Sequence, residues 1–478
     1  MTQHGLSTLD EKQQTRGLRA NALGVPALVF TVAATIGMVA AFIGATPLVF
    51  IMAGEGAPGV YVIAVVAYAV FAGGYLAMAR KFGSASGLVA FIAHGFGRRA
   101  GVAAAYITLL TYPLFLTALY GIFTLFVQQA LLQYFSLDVN WVLIAIVSLV
   151  IFTAVSYARI EMSVRFLGVI LIAGVLVVLV FDGAVISNAA TSGAVSFDSF
   201  GPGAVFGPAL GAAMLFALGS FGGMESVAVY SEEVKDRRKT ITRSLYIAII
   251  VIGAFYVVST WAVVAGIGGD RIAEAAAANP GGFIFTLTAE TLGGVWSDIL
   301  NVIVIVSFAG ILIGFTNISS RYQFALGRAG LLPPRLGVTH PRFQSPHLGV
   351  VSTGVITLVL VLVFGLAGAD PYKHLYTWLI GLATVGSLFL IVLSSAATLV
   401  YHVRQRHEEN IWNAYIAPAL STLVFGAAVW LALSNYELLA GDAPAAQWLW
   451  LFVPVVGVAG FAIGGMRRFA HISFEEVS

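Results

Sequence analysis

The 478-residue chain contains no cysteine. Disulfides, thiol nucleophiles and thiolate metal sites are therefore excluded. Charge is also scarce: Asp, Glu, Lys and Arg supply 10% of the residues, against 59% hydrophobic. The hydrophilic stretches are short, which leaves no room between the apolar runs for a soluble ligand-binding domain or an ATPase domain. The phosphate-cradling pattern GxxxxGK[ST] and the zinc pattern HExxH are both missing, as is any other grouped His/Asp arrangement. A net charge of +2 gives no basic field of the kind that binds nucleic acid, and no nucleic-acid partner is expected.

Long apolar runs are what the chain does have. Mean hydropathy is +0.94, the range of an integral membrane protein. About twelve stretches are long enough to cross ~30 Å of hydrocarbon at ~1.5 Å per residue. They are 26–50, 59–80, 101–133, 139–157, 166–182 and 206–230, then 244–267, 294–319, 347–367, 375–401, 412–434 and 446–466, called spans 1 to 12 in that order. The third is long enough to require tilt or an extension beyond the bilayer. Of the 24 Lys and Arg, 22 fall in the N-terminus, the even-numbered loops and the C-terminus, and only Arg271 and Lys373 fall opposite. The positive-inside rule then predicts that both termini are cytoplasmic, in a multi-pass protein of the plasma (inner) membrane. Residues 1–24 and 468–478 read as cytoplasmic tails, with no leader-like core before Val25, and 25–467 as the membrane domain.

The most informative run is FGPALGAAMLFALGSFGGMESVAVYSEEVKDRRKTITR, residues 206–243. A span is interrupted by Gly219-Ser220-Phe221-Gly222-Gly223 and followed by a cluster of charges. A helix breaks at membrane depth only where its freed backbone groups face protein, water or a solute, and broken helices hold substrate in many secondary transporters. Span 1 is also irregular, with Ile36-Gly37-Met38-Val39-Ala40 and then Gly44-Ala45-Thr46-Pro47. Two breaks five spans apart predict a 5+5 inverted repeat, because a second copy displaced by an odd number of spans enters from the opposite face. The copies would cover about 25–182 and 206–401, with spans 11 and 12 (about 412–466) appended. Packing glycines are the alternative reading for span 1.

FALGSFGGMESVAVYSEEVKDRRKTITRS resembles the sixth-span signature of the amino acid–polyamine–organocation (APC) permeases. Residues 307–347 are similar to that family's eighth span and the arginine-rich segment after it; 72–101 resemble its span 2–3 connection. The resemblance implies an all-α membrane protein of LeuT-like fold, with discontinuous helices 1 and 6. It also implies that a substrate carboxylate faces amides near Ile36, Gly37, Met38, Val39 and Ala40. The substrate amine would face carbonyls of Phe216, Ala217, Leu218 and Gly219, beside Ser220. Broken-helix N-termini attract anions and C-terminal ends attract cations, so a zwitterion is matched without charged side chains. Gly219 stands where some relatives carry a large aromatic, which predicts a roomier pocket. Phe221 is a candidate gate, and Phe315 and Tyr112 candidate pocket linings, with plain helix packing as the alternative for each.

Glu225 lies roughly 10 Å of helix into the bilayer from the charge cluster that starts at Glu232. It is the candidate for proton coupling or an inner gate, with a hydrogen-bonded structural role as the alternative. No cofactor is expected, and no metal site. The coupling ion is expected to be H+; Na+, held by span 1 carbonyls and Ser307 or Thr316, is the alternative. No histidine lies well inside a span, which argues against a histidine relay. Glu232, Glu233, Lys235, Arg237, Arg238, Arg321 and Arg328 are expected to form a cytoplasmic gate network or simply a solvated face. Residues 279–292 read as a short amphipathic or re-entrant piece on the outer side. The expected function is secondary transport of an amino acid or related amine by alternating access, as a proton symporter. An exchanger or polyamine carrier of the same fold is the alternative, and a membrane-embedded enzyme or a channel is disfavoured.

Overall fold

The computed structural model describes residues 24–82, 87–158, 164–193, 195–224, 237–405, 409–440, 443–444 and 446–466, and among these residues it is helical with no strand. Nine of the described helices are long and apolar enough to cross a membrane. The longest, Met38–Phe82, joins the second part of span 1 to span 2 through one 3-10 turn at Gly54–Gly56. Three shorter helices supply the rest of the twelve-span pattern. They are Val25–Ile36 in span 1, the 17-residue Trp141–Tyr157 in span 4, and Leu210–Gly219, the first part of span 6. The remainder of span 6, with Glu225 and the charges Glu232, Glu233 and Lys235, lies outside the described residues.

Several helices run past the ends that hydropathy assigned. Span 3 is Arg98–Phe135, 38 residues and so about 57 Å long, nearly twice the hydrocarbon thickness. Span 5 is Val164–Thr191, span 7 Arg237–Ile267 and span 8 Gly294–Arg328. Hydropathy marks where lipid contact ends, whereas backbone hydrogen bonding continues into polar turns. Span 9 is His347–Leu366 and span 10 Thr377–Arg404, entered through a wide turn at Pro371–Tyr376. Spans 11 and 12 end the bundle with Ala417–Ser434 and Phe452–Gly464.

The inverted repeat is visible in who packs against whom. Span 2 packs on span 7 and span 3 on span 8; span 4 meets span 8 while span 9 meets span 3. Span 7 packs on the first half of span 1, and span 2 on the first half of span 6. Each neighbour relation survives when every span is exchanged for the one five places away. The symmetry extends to the turns. A short helix, Leu88–Phe96, precedes span 3 and turns into it at Gly97, φ 87° and ψ 173°. Its counterpart Phe283–Leu292 precedes span 8 and turns at Gly293, φ 97° and ψ 160°. Both positions need a positive φ that only glycine adopts without strain. Phe283–Leu292 also falls within 279–292, the piece read from sequence as amphipathic or re-entrant.

Spans 3 and 10 are the most enclosed, and spans 5, 9, 11 and 12 the least. Val355, Val359 and Val363 are exposed at intervals of four residues, one apolar stripe on span 9. Such a stripe suits contact with lipid, and with nine described helices long and apolar enough to cross a bilayer the chain is a multi-pass membrane protein. Arg80 pairs with Glu409 at 2.9 Å, tying the end of span 2 to the segment before span 11.

Close helix contact is set by glycines. A Cβ on Gly211 would lie 2.1 Å from the Leu431 carbonyl oxygen, and one on Gly95 2.2 Å from that of Ala397. Neither obstacle is a side chain that can swing away. Gly211→Ala is expected to destabilise the protein by about 1–3 kcal/mol. Gly426→Ala in span 11, with nothing within 4 Å of its Cβ, is expected to be neutral or to stabilise by ~0.5–1 kcal/mol. Thermal unfolding of the two variants in one detergent checks the contrast.

Candidate solute site at the breaks of spans 1 and 6

The break in span 1 is one residue long. Gly37 has φ 66° and ψ 52°, and its N–H donates to the carbonyls of Ala33 and Ala34. A Cβ on Gly37 would stand 2.0 Å from Ile311 Cδ1 of span 8. Both the left-handed backbone and the contact with span 8 therefore need glycine. Met38–Ala53 begins at once, and the first N–H to reach back is that of Ala41, to the Gly37 carbonyl at 2.8 Å. The opening amides of Met38, Val39 and Ala40 lead a new helix N-terminus, where donors lack partners in their own helix and the dipole favours anions.

Span 6 stops at Gly219 and tightens into successive turns. Phe221 N–H donates to Leu218 O (3.1 Å), Gly222 N–H to Gly219 O (2.9 Å) and Met224 N–H to Phe221 O (3.2 Å). Gly223 has φ 93°. Tyrosines on neighbouring spans take up carbonyls that the break releases: Tyr68 Oη donates to Leu218 O at 3.1 Å and Tyr256 Oη to Ser220 O at 3.1 Å. Ser220 Oγ donates to Phe216 O at 2.9 Å and lies 3.2 Å from Tyr61 Oη.

A carbonyl accepts two hydrogen bonds. Phe216 O takes both the N–H and the hydroxyl of Ser220, and Leu218 O takes Phe221 N–H and Tyr68. Both are filled. Gly219 O takes only Gly222 N–H among the described residues.

A cavity of about 40 Å³ lies between the two breaks. Of the residues singled out by sequence, Ile36, Ala40, Phe216, Gly219, Ser220 and Phe315 line it. Gly37, Met38, Val39, Ala217 and Leu218 belong to the broken segments without lining it. Spans 3, 8 and 10 complete the wall. Span 3 brings Phe115 and Leu119, span 8 Phe308 and Ile311 beside Phe315, and span 10 Tyr376 and Ile380. Ala41, Ala45 and Gly222 line it too; Ala45 and Gly222 stand in the irregular runs that the sequence marked, without having been named as lining residues, and Ala41 was missed. These wall residues recur at intervals of three or four, so each set occupies one helix face. Among the described residues, no charged side chain lines the cavity.

Phe221 is buried and packed between Tyr68 (rings stacked at 5.0 Å) and Tyr256 (5.5 Å), and it does not line the cavity. The rings that face the glycine turn are Phe115 and Phe315, 5.8 Å apart. Phe115 lies 3.5 Å from where a Gly222 Cβ would be, and Phe315 3.9 Å from that of Gly223. Tyr112 is one layer further out, 4.9 Å from the Tyr322 ring and 6.3 Å from that of Phe315. The roomier pocket expected from Gly219 is corrected by the geometry. A Cβ there would meet Thr384 Oγ1 of span 10 at 2.7 Å, so the missing side chain makes way for span 10. Ser307 and Thr316 each donate to the carbonyl four residues back, Ile303 (2.8 Å) and Leu312 (2.7 Å).

Gly37→Ala is expected to cost about 1–2 kcal/mol for the left-handed backbone, plus the displacement of Ile311. Ile311→Ala in the same chain should recover the steric part and leave the backbone part. Thermal melts of Gly37→Ala, Ile311→Ala and the double variant separate the two.

The sequence model of the family described as Amino acid permease matches residues 23–461. An uncharacterised transporter of Mycobacterium tuberculosis (strain ATCC 25618 / H37Rv) is 30% identical over 260 residues, 54% of each chain. Two Bacillus subtilis (strain 168) proteins are each 24% identical. The methylthioribose transporter aligns over 292 residues, 61% of this chain and 58% of its own, and a branched-chain amino acid permease over 262, 55% and 52%. The chain thus spans about half the length of the curated relatives it matches. A solved mutant of the Eremococcus coleocola manganese transporter superposes with a TM-score of 0.57 at 13% identity, over 93% of this chain and 96% of that one, a likeness of fold alone. With the family matched across nearly its whole length, on a fold whose two broken spans enclose a cavity, the chain belongs to the amino acid permease family of the APC superfamily.

Proposed function

We propose that the protein is a secondary transporter that moves an α-amino acid with a small apolar side chain, or a related amine, by alternating access. The carrying observation is the cavity itself. Ala40, in the opening turn of the helix Met38–Ala53, and Gly219, whose carbonyl takes one hydrogen bond among the described residues, both line a chamber walled by Ile, Leu, Phe and Ala. A carboxylate suits the first, an ammonium group the second, and an aliphatic side chain the walls. A polyamine, with several cationic centres and no carboxylate, would find no acidic side chain among the described lining residues. The relative named as a branched-chain amino acid permease supports the apolar choice.

The cavity volume bears on the mechanism. About 40 Å³ is room for only a few waters, since one water needs ~10–15 Å³. A solute enters only when the packing of Phe115 and Phe315 on the Gly222–Gly223 turn opens. In the alternating-access reading the basic helix ends, including Arg98, Arg99, Arg243, Arg328 and Arg404, face the cytoplasm of the plasma (inner) membrane. Proton symport is the coupling proposed, with Glu225 on the undescribed part of span 6 as proton carrier or inner gate.

Thermal-shift screening of the purified protein tests the substrate class. At ~100 times its dissociation constant a ligand should stabilise the protein by about 2.7 kcal/mol. A saturable shift is expected with leucine, isoleucine or valine, lost when the carboxylate is amidated or the amine acylated. Shifts confined to amines without a carboxylate, or to sugars or nucleobases, would contradict the proposal.

A further inference from the structure

Asp182 belongs to no part of the site above. Hydropathy closes span 5 at this residue, but the helix continues to Thr191, placing Asp182 roughly 13 Å short of its end. The side chain is 2% exposed. Its Oδ2 accepts from Ser259 Oγ of span 7 at 2.6 Å, while the buried Oδ1 has no partner among the described residues. One turn later, Val185 packs on Gly266 of span 7, where a Cβ would come within 2.5 Å of its Cγ1. Spans 5 and 7 are therefore sealed together above an acid that has one hydrogen bond.

Among the described residues, the elements packed on span 5 bring it no cation. Span 7 carries Tyr256, committed to Ser220 O, and Lys239 and Arg243 at its far end. Neither segment of span 1 has a charged residue between Val25 and Ala53. Span 8 carries Asp298, bonded to Gln133 and Tyr134, and Arg321 and Arg328 at its other end. Phe283–Leu292 carries Glu290, which is exposed. One hydroxyl is far short of what a buried carboxylate requires, and an ionisable group at this depth is a functional feature by default. Two carboxylate oxygens and one hydroxyl are also too few to replace the roughly six-oxygen shell of a hard metal cation.

We propose that Asp182, with Ser259 as its partner, is a proton-binding site whose occupancy decides whether spans 5 and 7 close on each other. The inference rests on the alternating-access reading. When the spans are parted, water solvates the carboxylate. A proton taken from that water forms an O–H bond at Oδ1, cancels the charge and permits the closed packing. Re-opening returns the proton to water. The site lies toward the end opposite the basic helix ends, the outer side in the proposed orientation.

The absence of native cysteine provides the test, because one introduced thiol reports alone. Val185→Cys is made in the full-length protein and in Asp182→Asn, reconstituted in liposomes and exposed to an impermeant maleimide across a range of pH. Thiol reactivity itself rises with pH, so the ratio of the two labelling rates is read. The ratio is expected to rise several-fold from acid to alkaline pH, with the Asp182→Asn background held closed. A ratio that does not change with pH overturns the proposal. Should Asp182→Asn fail to fold, Ser259→Ala retains the carboxyl and is expected to move the pH at which Val185→Cys becomes reactive; an unmoved midpoint is equally fatal. Labelling needs no transported solute. Labelling of Val185→Cys that behaves as expected, together with no pH-gradient-driven uptake by the wild-type protein, would instead defeat the proton-symport reading and leave the Asp182 site standing.

Discussion

In hydrocarbon every peptide group must find a partner inside the protein, since leaving one unpaired costs several kcal/mol. Much of this structure follows from breaking two helices under that constraint. At Gly37 the break is confined to a single left-handed residue whose N–H is bonded backwards, so that only the opening amides of Met38–Ala53 are left available. At Gly219 the chain tightens into short turns, and Tyr68 and Tyr256 reach in from spans 2 and 7 to occupy the carbonyls that are released. Ala40 from the first break and Gly219 from the second both line one cavity.

The surrounding bundle keeps these breaks in register. Span 8 presses Ile311 against Gly37, and span 10 presses Thr384 against Gly219, so each break is held by a helix of the other repeat or its own. The two repeats share even their turn geometry, with Gly97 and Gly293 bending short helices into spans 3 and 8 at nearly the same φ and ψ. Phe221 shows how the environment decides a role. In sequence it sits at the centre of the glycine-rich break, yet it is enclosed by Tyr68 and Tyr256, and the rings over the turn come from spans 3 and 8.

The apolar runs and the glycine clusters were legible in the sequence because each has a local physical cause: transfer into lipid for the first, backbone freedom for the second. The two breaks and the inverted repeat followed from them, and six of the fifteen residues that line the cavity were named from the sequence. Most of the wall was not. Phe115, Phe308, Ile311, Tyr376 and Ile380 are ordinary members of apolar helices, and only the rotation of each helix about its axis separates a cavity face from a packing face. Asp182 was passed over for a different reason, since hydropathy ends a span at the first charge whereas the helix does not end there. Gly219 illustrates a third limit: the direction in which a missing side chain would have pointed belongs to tertiary structure, and here it points at Thr384.

The proposed chemistry turns on one contact, that of the Met38, Val39 and Ala40 amides with the solute's anionic group. Backbone hydrogen–deuterium exchange, measured with and without a saturating apolar amino acid, addresses it. Ligand protection is expected to be largest at the peptide spanning Met38–Ala40, accompanied by the Gly219–Gly223 turn. Protection that leaves Met38–Ala40 unchanged, under conditions where binding is independently saturated, would contradict that contact.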